Sequence, residues 1–186
     1  MDDVLRVLAL LGSTREGRAG PRVGAWFARQ AGDRDDLDLA VVDLAEFDFP
    51  ARLPARATAA MTAFTTEIDR ADAFVVVTPE YNRSFPASLK QAIDYAYDEW
   101  QAKPVAFVSY GCRCAGLYAV EQLRVVFTEL HTVTLRNTVS FNLFETGPDG
   151  GPRDEVVRHA VGPMLDQLVW WGGALRAARH ARPYVA

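Results

Sequence analysis

Residues 4–20 read VLRVLALLGSTREGRAG. From Val4 to Leu11 the run is apolar except for Arg6, which reads as a strand buried in a sheet, and it stops at Gly12-Ser13-Thr14-Arg15. From about Pro21 to Gln30 the apolar spacing becomes helical, with Val23, Trp26 and Phe27 on one face. Pro21 suits the first turn, because the N–H it lacks would be unpaired there anyway. A buried strand followed at once by an amphipathic helix is the opening unit of a parallel α/β sheet.

The same succession recurs down the chain. Leu37 to Leu44 reads as a second strand, Phe47 to Ala55 as a loop carrying Pro50 and Pro54, and Thr58 to Ala71 as a helix. Strands follow at Ala73 to Thr78, Pro104 to Tyr110 and Thr132 to Val139, separated by helices at Pro86 to Tyr97 and Gly116 to His131. After the loop Gly147 to Pro152, a single last helix is expected from Asp154 to Ala178. Five strands alternating with five helices imply a parallel sheet between two helical layers. Right-handed crossovers and this element count fit the strand order 2-1-3-4-5, with a ligand crevice at the carboxyl ends of strands one, three and four. Residues 1–186 carry no internal repeat, low-complexity tract or boundary, so one domain is expected.

Composition excludes several classes. The chain is 49% hydrophobic and 24% charged, as in an average soluble globular protein, and its net charge of -4 offers no footprint for nucleic acid. Three histidines are too few and too scattered for a metal cluster, and two cysteines, Cys112 and Cys114, make no disulfide framework. The start, Met1-Asp2-Asp3 and then a short apolar run, lacks the basic start and longer apolar region of a signal peptide, and no apolar stretch approaches the ~20 residues that span a bilayer. A cytoplasmic protein with no membrane association is expected.

The fold reading directs attention to the loops after strands. Gly12 to Gly20 gathers free N–H groups at the positive end of a helix, adds the hydroxyls of Ser13 and Thr14, and adds the guanidinium forks of Arg15 and Arg18, a set suited to phosphate oxygens. The plain alternative is a solvated, capped turn. The loop lacks both the G-x-G-x-x-G of a dinucleotide site and the G-x-x-x-x-G-K-[ST] of a P-loop. The second loop, Pro79-Glu80-Tyr81-Asn82-Arg83-Ser84-Phe85-Pro86, is stiffened by two prolines, and its amides and aromatic rings suit a flat, polar-edged ligand. The alternative is a helix start capped by Ser84, with ordinary core aromatics. The third loop, Ser109 to Gly116, combines a hydroxyl with glycines at 111 and 116 that permit close backbone approach. It fits the edge of a heterocycle, or a strand-to-helix turn whose dihedrals need glycine.

Three segments together carry a family resemblance: GSTREGRAG at 12–20, PEYNRSFPASLKQAID at 79–94 and SYGCRCAGLYAVEQLR at 109–124. With WWGGALRAAR at 170–179, they make the sequence resemble the NADPH-dependent FMN reductase family, which includes quinone, azo-dye and chromate reductases. The resemblance implies a flavodoxin-like three-layer sandwich and one FMN per chain. It also implies NADPH or NADH as hydride donor, a small-molecule electron acceptor reached by a ping-pong cycle, and a homodimer or homotetramer. By position, Ser13, Arg15 and Arg18 match residues around the FMN phosphate. Pro79, Glu80, Tyr81 and Asn82 match the loop against the ribityl chain and isoalloxazine, and Ser109, Tyr110 and Gly111 the loop at the pyrimidine edge. Many members have glycine where this chain has Cys112 and Ala115, and a side chain there obstructs the ring or displaces the loop.

No protein nucleophile or base is required when the cofactor carries the hydride, which agrees with the lack of a G-x-S-x-G elbow or of Cys-x5-Arg spacing. Cys112 and Cys114 read as plain thiols in a reducing compartment, with a redox pair as the alternative. A flavin-binding carrier or redox-sensing regulatory protein with little turnover is the alternative function. Arg83 and Arg113 are candidates for meeting the 2′-phosphate that separates NADPH from NADH, or are simply solvated. Tyr95, Tyr97 and Trp100 in the segment Leu89 to Trp100 are expected to form exposed aromatic surface at a subunit interface.

Overall fold

Strands β3 (Ala73–Pro79) and β4 (Pro104–Gly111) are buried along their whole lengths, as strands covered on both faces must be. The structure, a computed structural model, describes residues 4–185, so Met1 to Asp3, on which the signal-peptide reading partly rests, lie outside the described residues. With β1 (Leu5–Leu11), β2 (Leu37–Asp43) and β5 (Val133–Asn142), they form one five-stranded sheet in the order β2-β1-β3-β4-β5, and every pair in it is parallel. Helices α1 (Gly20–Ala31) and α6 (Val161–Ala181) cover one face; α2 (Ala59–Arg70), α3 (Ala87–Ile93) and α4 (Leu117–Glu129) cover the other. No helix among the described residues is long and apolar enough to cross a membrane.

The two-residue period of the strands sorts the core into two layers. Val7, Ala9 and Leu11 of β1, Val75 and Val77 of β3, and Ala106, Val108 and Tyr110 of β4 face α1 and α6. Leu8, Leu10, Phe74, Val76, Val105 and Phe107 face α2, α3 and α4. This alternation also decides where the residues at the carboxyl ends of the strands point.

Three elements differ from the sequence reading. The helix expected from Pro86 to Tyr97 ends at Ile93, and a 3-10 turn follows at Asp98–Trp100. Trp100 is fully buried, edge-on to Phe74 at 4.7 Å and Phe127 at 5.4 Å, and its Nε1 donates to the carbonyl of Ile93 at 3.1 Å. The indole thereby gives the Ile93 carbonyl, which also accepts from Ala96 N–H at 3.3 Å, a second donor at the end of the helix. Tyr95 packs on Phe49 and donates its hydroxyl to the carbonyl of Pro50 at 2.9 Å, leaving only Tyr97 of the three aromatics exposed. The aromatic surface expected there does not exist.

The last helix is two, α5 (Glu155–His159) and α6, because Pro163 has no N–H to donate to the carbonyl of His159, although Ala160 still donates to Val156 and accepts from Met164. Strand β5 runs on to Asn142 and bulges: Val105 faces Thr134 while Phe107 faces Thr138, so Leu135, Arg136 and Asn137 stand opposite Ala106. Arg124 donates to the carbonyls of Leu135 and Arg136, which the bulge takes out of the ladder.

Candidate functional site

The carboxyl ends of β1 and β3 are where the chain turns to opposite sides of the sheet, and the cleft lies there, as expected for this topology. Its volume is about 450 Å³, within the range of small-molecule sites. The loop after β1 forms one wall. Its first N–H, that of Gly12, bonds to Val77 at 2.9 Å, and Arg18 N–H closes a turn on Arg15 at 3.2 Å. Among the described residues, no protein group accepts from the backbone N–H groups of Ser13 to Gly17. Helix α1 begins just after, with no side chain capping it. Free N–H groups and an uncapped helix start together make an anion site.

The side chains around that site are divided in their duties. Arg15 is exposed on the cleft wall, while Ser13 is fully buried beneath the loop, its Oγ 3.5 Å from the hydroxyl of Tyr110. Arg18 uses Nη2 to bond Asp43 at the end of β2, at 2.7 Å, whereas its Nη1 is buried and has no partner among the described residues. A Cβ on Gly20 would stand 2.6 Å from Ser13 Oγ and 3.3 Å from the Tyr110 hydroxyl, so a side chain here would displace the Ser13 hydroxyl. An unpaired, buried guanidinium N–H beside free amides is what a phosphate would complete, and the residues fit that group.

Pro79 ends β3 in the wall of the cleft, and the N–H of Glu80 bonds to Tyr110 at 2.9 Å, joining the second loop to β4. Glu80 Oε2 accepts from the N–H of Tyr118 at 3.2 Å, so its carboxylate caps α4 and ties the second loop to the third. Tyr81 and Ser84 exchange backbone bonds at 2.8 and 2.9 Å across a two-residue turn. Asn82 sits at its exposed tip, outside the cleft lining. Ser84 does not cap α3, which starts after Pro86; its hydroxyl bonds Gln122 instead.

In the third loop the strand alternation overrides the simple reading. Ser109 faces α4 and is buried, and its hydroxyl is engaged by Ala115 O at 3.0 Å and Ser140 Oγ at 2.8 Å, which braces the loop. Tyr110 faces the other way, stacks on Phe141 at 6.2 Å, lines the cleft and carries its hydroxyl beneath the loop after β1, 3.5 Å from Ser13 Oγ. Burial pushes its phenol up to about 12. Gly111 reaches the cleft through its backbone. Gly116 has φ 87°, and a Cβ there would stand 2.6 Å from Ser109. Ala115 is left-handed too, at φ 54°, whereas Cys112 is not, so the strain of a missing glycine falls on 115. Cys112 is exposed in the cleft wall.

Asp43 and Leu143 were not anticipated. Asp43 is the last residue of β2 and Leu143 follows β5 into the cleft wall, so attention to the end of every strand, beyond β1, β3 and β4, would have found both. A larger cavity, about 900 Å³, opens at the amino ends of β3, β4 and β5 around Asp72, Lys103 and Arg179. Its polar groups are tied to one another: Arg179 bonds Asp72 at 3.2 Å and Lys103 Nζ donates to Asp69 O at 2.8 Å. It also lies at the end of the sheet away from the switch point.

A doubly wound parallel sheet with a phosphate-fitting cleft at its switch point defines a flavodoxin-like mononucleotide-binding protein. The profile of one family, NADPH-dependent FMN reductase, matches residues 5–146. A NAD(P)H-dependent FMN reductase of Schizosaccharomyces pombe is 32% identical over 171 residues, covering 87% of this chain and 80% of the relative. A quinone reductase of Pseudomonas putida is 29% identical over 188 residues, covering 92% and 96%. Among solved structures, the flavoenzyme NAD(P)H:(acceptor) oxidoreductase FerB of Paracoccus denitrificans superposes with a TM-score of 0.77 at 23% identity, over 91% of this chain and 98% of that one. This chain belongs to the NADPH-dependent FMN reductase family. It is accordingly an oxidoreductase that uses FMN and a nicotinamide nucleotide.

Proposed function

We propose that the chain, as one domain over residues 1–186, oxidises NAD(P)H through FMN held in the cleft and reduces a small quinone or a comparable acceptor, such as a free flavin, an azo compound or a metal oxyanion. The reading is carried by the unpaired Arg18 Nη1 beside the free amides of the first loop, which form a site for one phosphate with no second pyrophosphate loop. The loop amides and Arg18 hold the phosphate, and Arg15 closes over it from the rim. Pro79, Glu80, Tyr81 and Gly111 shape the remaining wall. Bound FMN supplies the hydride-accepting ring, so donor and acceptor take the same face in turn. The protein contributes orientation and a dry wall, and no side chain need act as nucleophile or general base.

A homodimer or homotetramer in the cytoplasm is part of the proposal. It rests on the family resemblance, since of Tyr95, Tyr97 and Trp100 only Tyr97 is exposed. Light scattering at micromolar concentration tests it, and a monomer would refute it.

The functional test is a flavin titration followed by steady-state NAD(P)H oxidation with a quinone acceptor. FMN binding in preference to FAD and sustained turnover are expected. Tight FAD binding without FMN binding would reject the cofactor assignment. Bound FMN without turnover would favour the second reading, a carrier or redox-sensing protein, which the thiol of Cys112 in the cleft wall favours.

A further inference from the structure

Arg83 stands in a backbone conformation that ordinarily selects glycine. The turn from Tyr81 to Ser84 places Asn82 at φ 52° and Arg83 at φ 64°, the dihedrals of a two-residue hairpin turn whose second position is usually glycine. An arginine there carries backbone strain that a solvated surface residue has no reason to carry.

The surroundings fix this arginine in place. Gln122 Nε2 donates to the carbonyl of Arg83 at 2.8 Å, and Ser84 Oγ donates to Gln122 Oε1 at 2.5 Å, so helix α4 holds the turn from two sides. The guanidinium lies over the ring of Tyr118, its central carbon 3.9 Å from the ring centroid. Tyr118 is itself anchored, its N–H donating to Glu80, whose side chain lines the cleft. Among the described residues no carboxylate pairs with Arg83, nor with Arg15 or Arg113, and what sets Arg83 apart is the ring beneath its guanidinium. The result is a planar fork with its N–H edges free, pre-set on an aromatic platform beside the cleft. Guanidinium forks of this kind suit the paired oxygens of a phosphate, and pre-setting them reduces the entropy lost on binding.

We propose that Arg83 is the residue that selects the phosphorylated dinucleotide, by binding the 2′-phosphate on the adenosine ribose of NADPH. The inference rests on the NAD(P)H reading above. Arg15 lies on the loop after β1 with the proposed phosphate site, and Arg113, exposed on the third loop, has no aromatic platform among the described residues.

The test uses the FMN-loaded protein as wild type, Arg83→Gly, Arg83→Lys and Arg113→Ala. Glycine suits φ 64°, so Arg83→Gly keeps the turn while removing the fork, and equal melting temperatures verify this. Two quantities are measured: the ratio of kcat/KM for NADPH to that for NADH, and calorimetric affinity for 2′,5′-ADP against 5′-AMP. Arg83→Gly is expected to lower both preferences by roughly tenfold to a hundredfold, the scale of a charge-assisted contact, with the kinetic loss in KM. Arg83→Lys falls between, because it keeps charge without the fork, and Arg113→Ala keeps both preferences. An unchanged NADPH preference in Arg83→Gly, or a wild type that binds 2′,5′-ADP no better than 5′-AMP, would overturn the inference. Turnover of neither nucleotide, with 2′,5′-ADP affinity still dependent on Arg83, would remove the enzymatic reading and leave the phosphate site standing.

Discussion

Arg18 Nη2 lies 2.7 Å from Asp43 Oδ2, a pair that fastens the loop after β1 to the end of β2 and aims the other guanidinium nitrogen into the fold. The pair is mostly buried, with side-chain exposures of 15% and 14%, so it is a structural tie whatever the other guanidinium nitrogen meets. Arg18→Ala is expected to lower unfolding free energy by about 1–3 kcal/mol, because Asp43 loses its partner without regaining full hydration. It also weakens FMN binding. Chemical denaturation of the apo protein checks the first effect, and undiminished stability would show that Asp43 is solvated when alone.

Arg15 makes the contrasting prediction. It is exposed and makes no side-chain bond among the described residues. Arg15→Ala should leave apo stability nearly unchanged, while lowering FMN affinity on the order of tenfold to a hundredfold, the scale of a charge-assisted phosphate contact. Fluorescence titration measures the affinity. An unchanged dissociation constant would remove Arg15 from the site.

Two buried groups set an alkaline stability profile. Burial, with Arg179 nearby, holds the Lys103 ammonium down to about 8 from an ordinary 10.5. Below pH 8 the amine is protonated in both states; between 8 and 10.5 the unfolded chain binds the extra proton, so stability rises with pH. Tyr110 acts oppositely. Its phenol is raised from 10 to about 12, so its contribution is complete below pH 10 and is lost as pH climbs through 12. Denaturation midpoints should therefore increase above pH 8 and decline beyond about 10. Lys103→Met should flatten the rise and Tyr110→Phe the decline. A monotonic fall above pH 8 in wild type would contradict the assignment for Lys103.

Relief of the third loop should come at Ala115. Its φ of 54° costs a residue with a Cβ about 1 kcal/mol, which glycine avoids. Ala115→Gly is expected to raise the melting temperature by a few degrees and to tighten FMN binding. Cys112→Gly removes only a thiol from the cleft wall, and with Cys114→Ala should leave quinone turnover at saturating FMN intact. Loss of turnover with the flavin site filled would establish the cysteines as a redox pair.

The sheet was legible because β1, β3 and β4 are near-continuous apolar runs, and such runs occur where both faces are covered. The end of α3 was not, because a helical spacing through Tyr97 carries no sign that Trp100 will fold back to bond the carbonyl of Ile93. Nor was the bulge in β5, whose freed carbonyls are met by Arg124 from the preceding helix α4.

At the site, the converging loops and the residue types they bring can be read along the chain, because topology fixes the carboxyl ends of β1, β3 and β4 as neighbours and side-chain chemistry is local. Which of those groups are free to act is set by packing across the fold. Ser109 and Tyr110 are adjacent in the chain, yet the strand's two-residue period sends one into the loop after β4 and the other beneath the loop after β1. Arg15 and Arg18 carry the same guanidinium, yet one remains available at the rim while the other is half engaged by Asp43, which comes from a separate strand. Availability depends on partners brought from elsewhere in the fold, and those partners leave no mark on the local sequence.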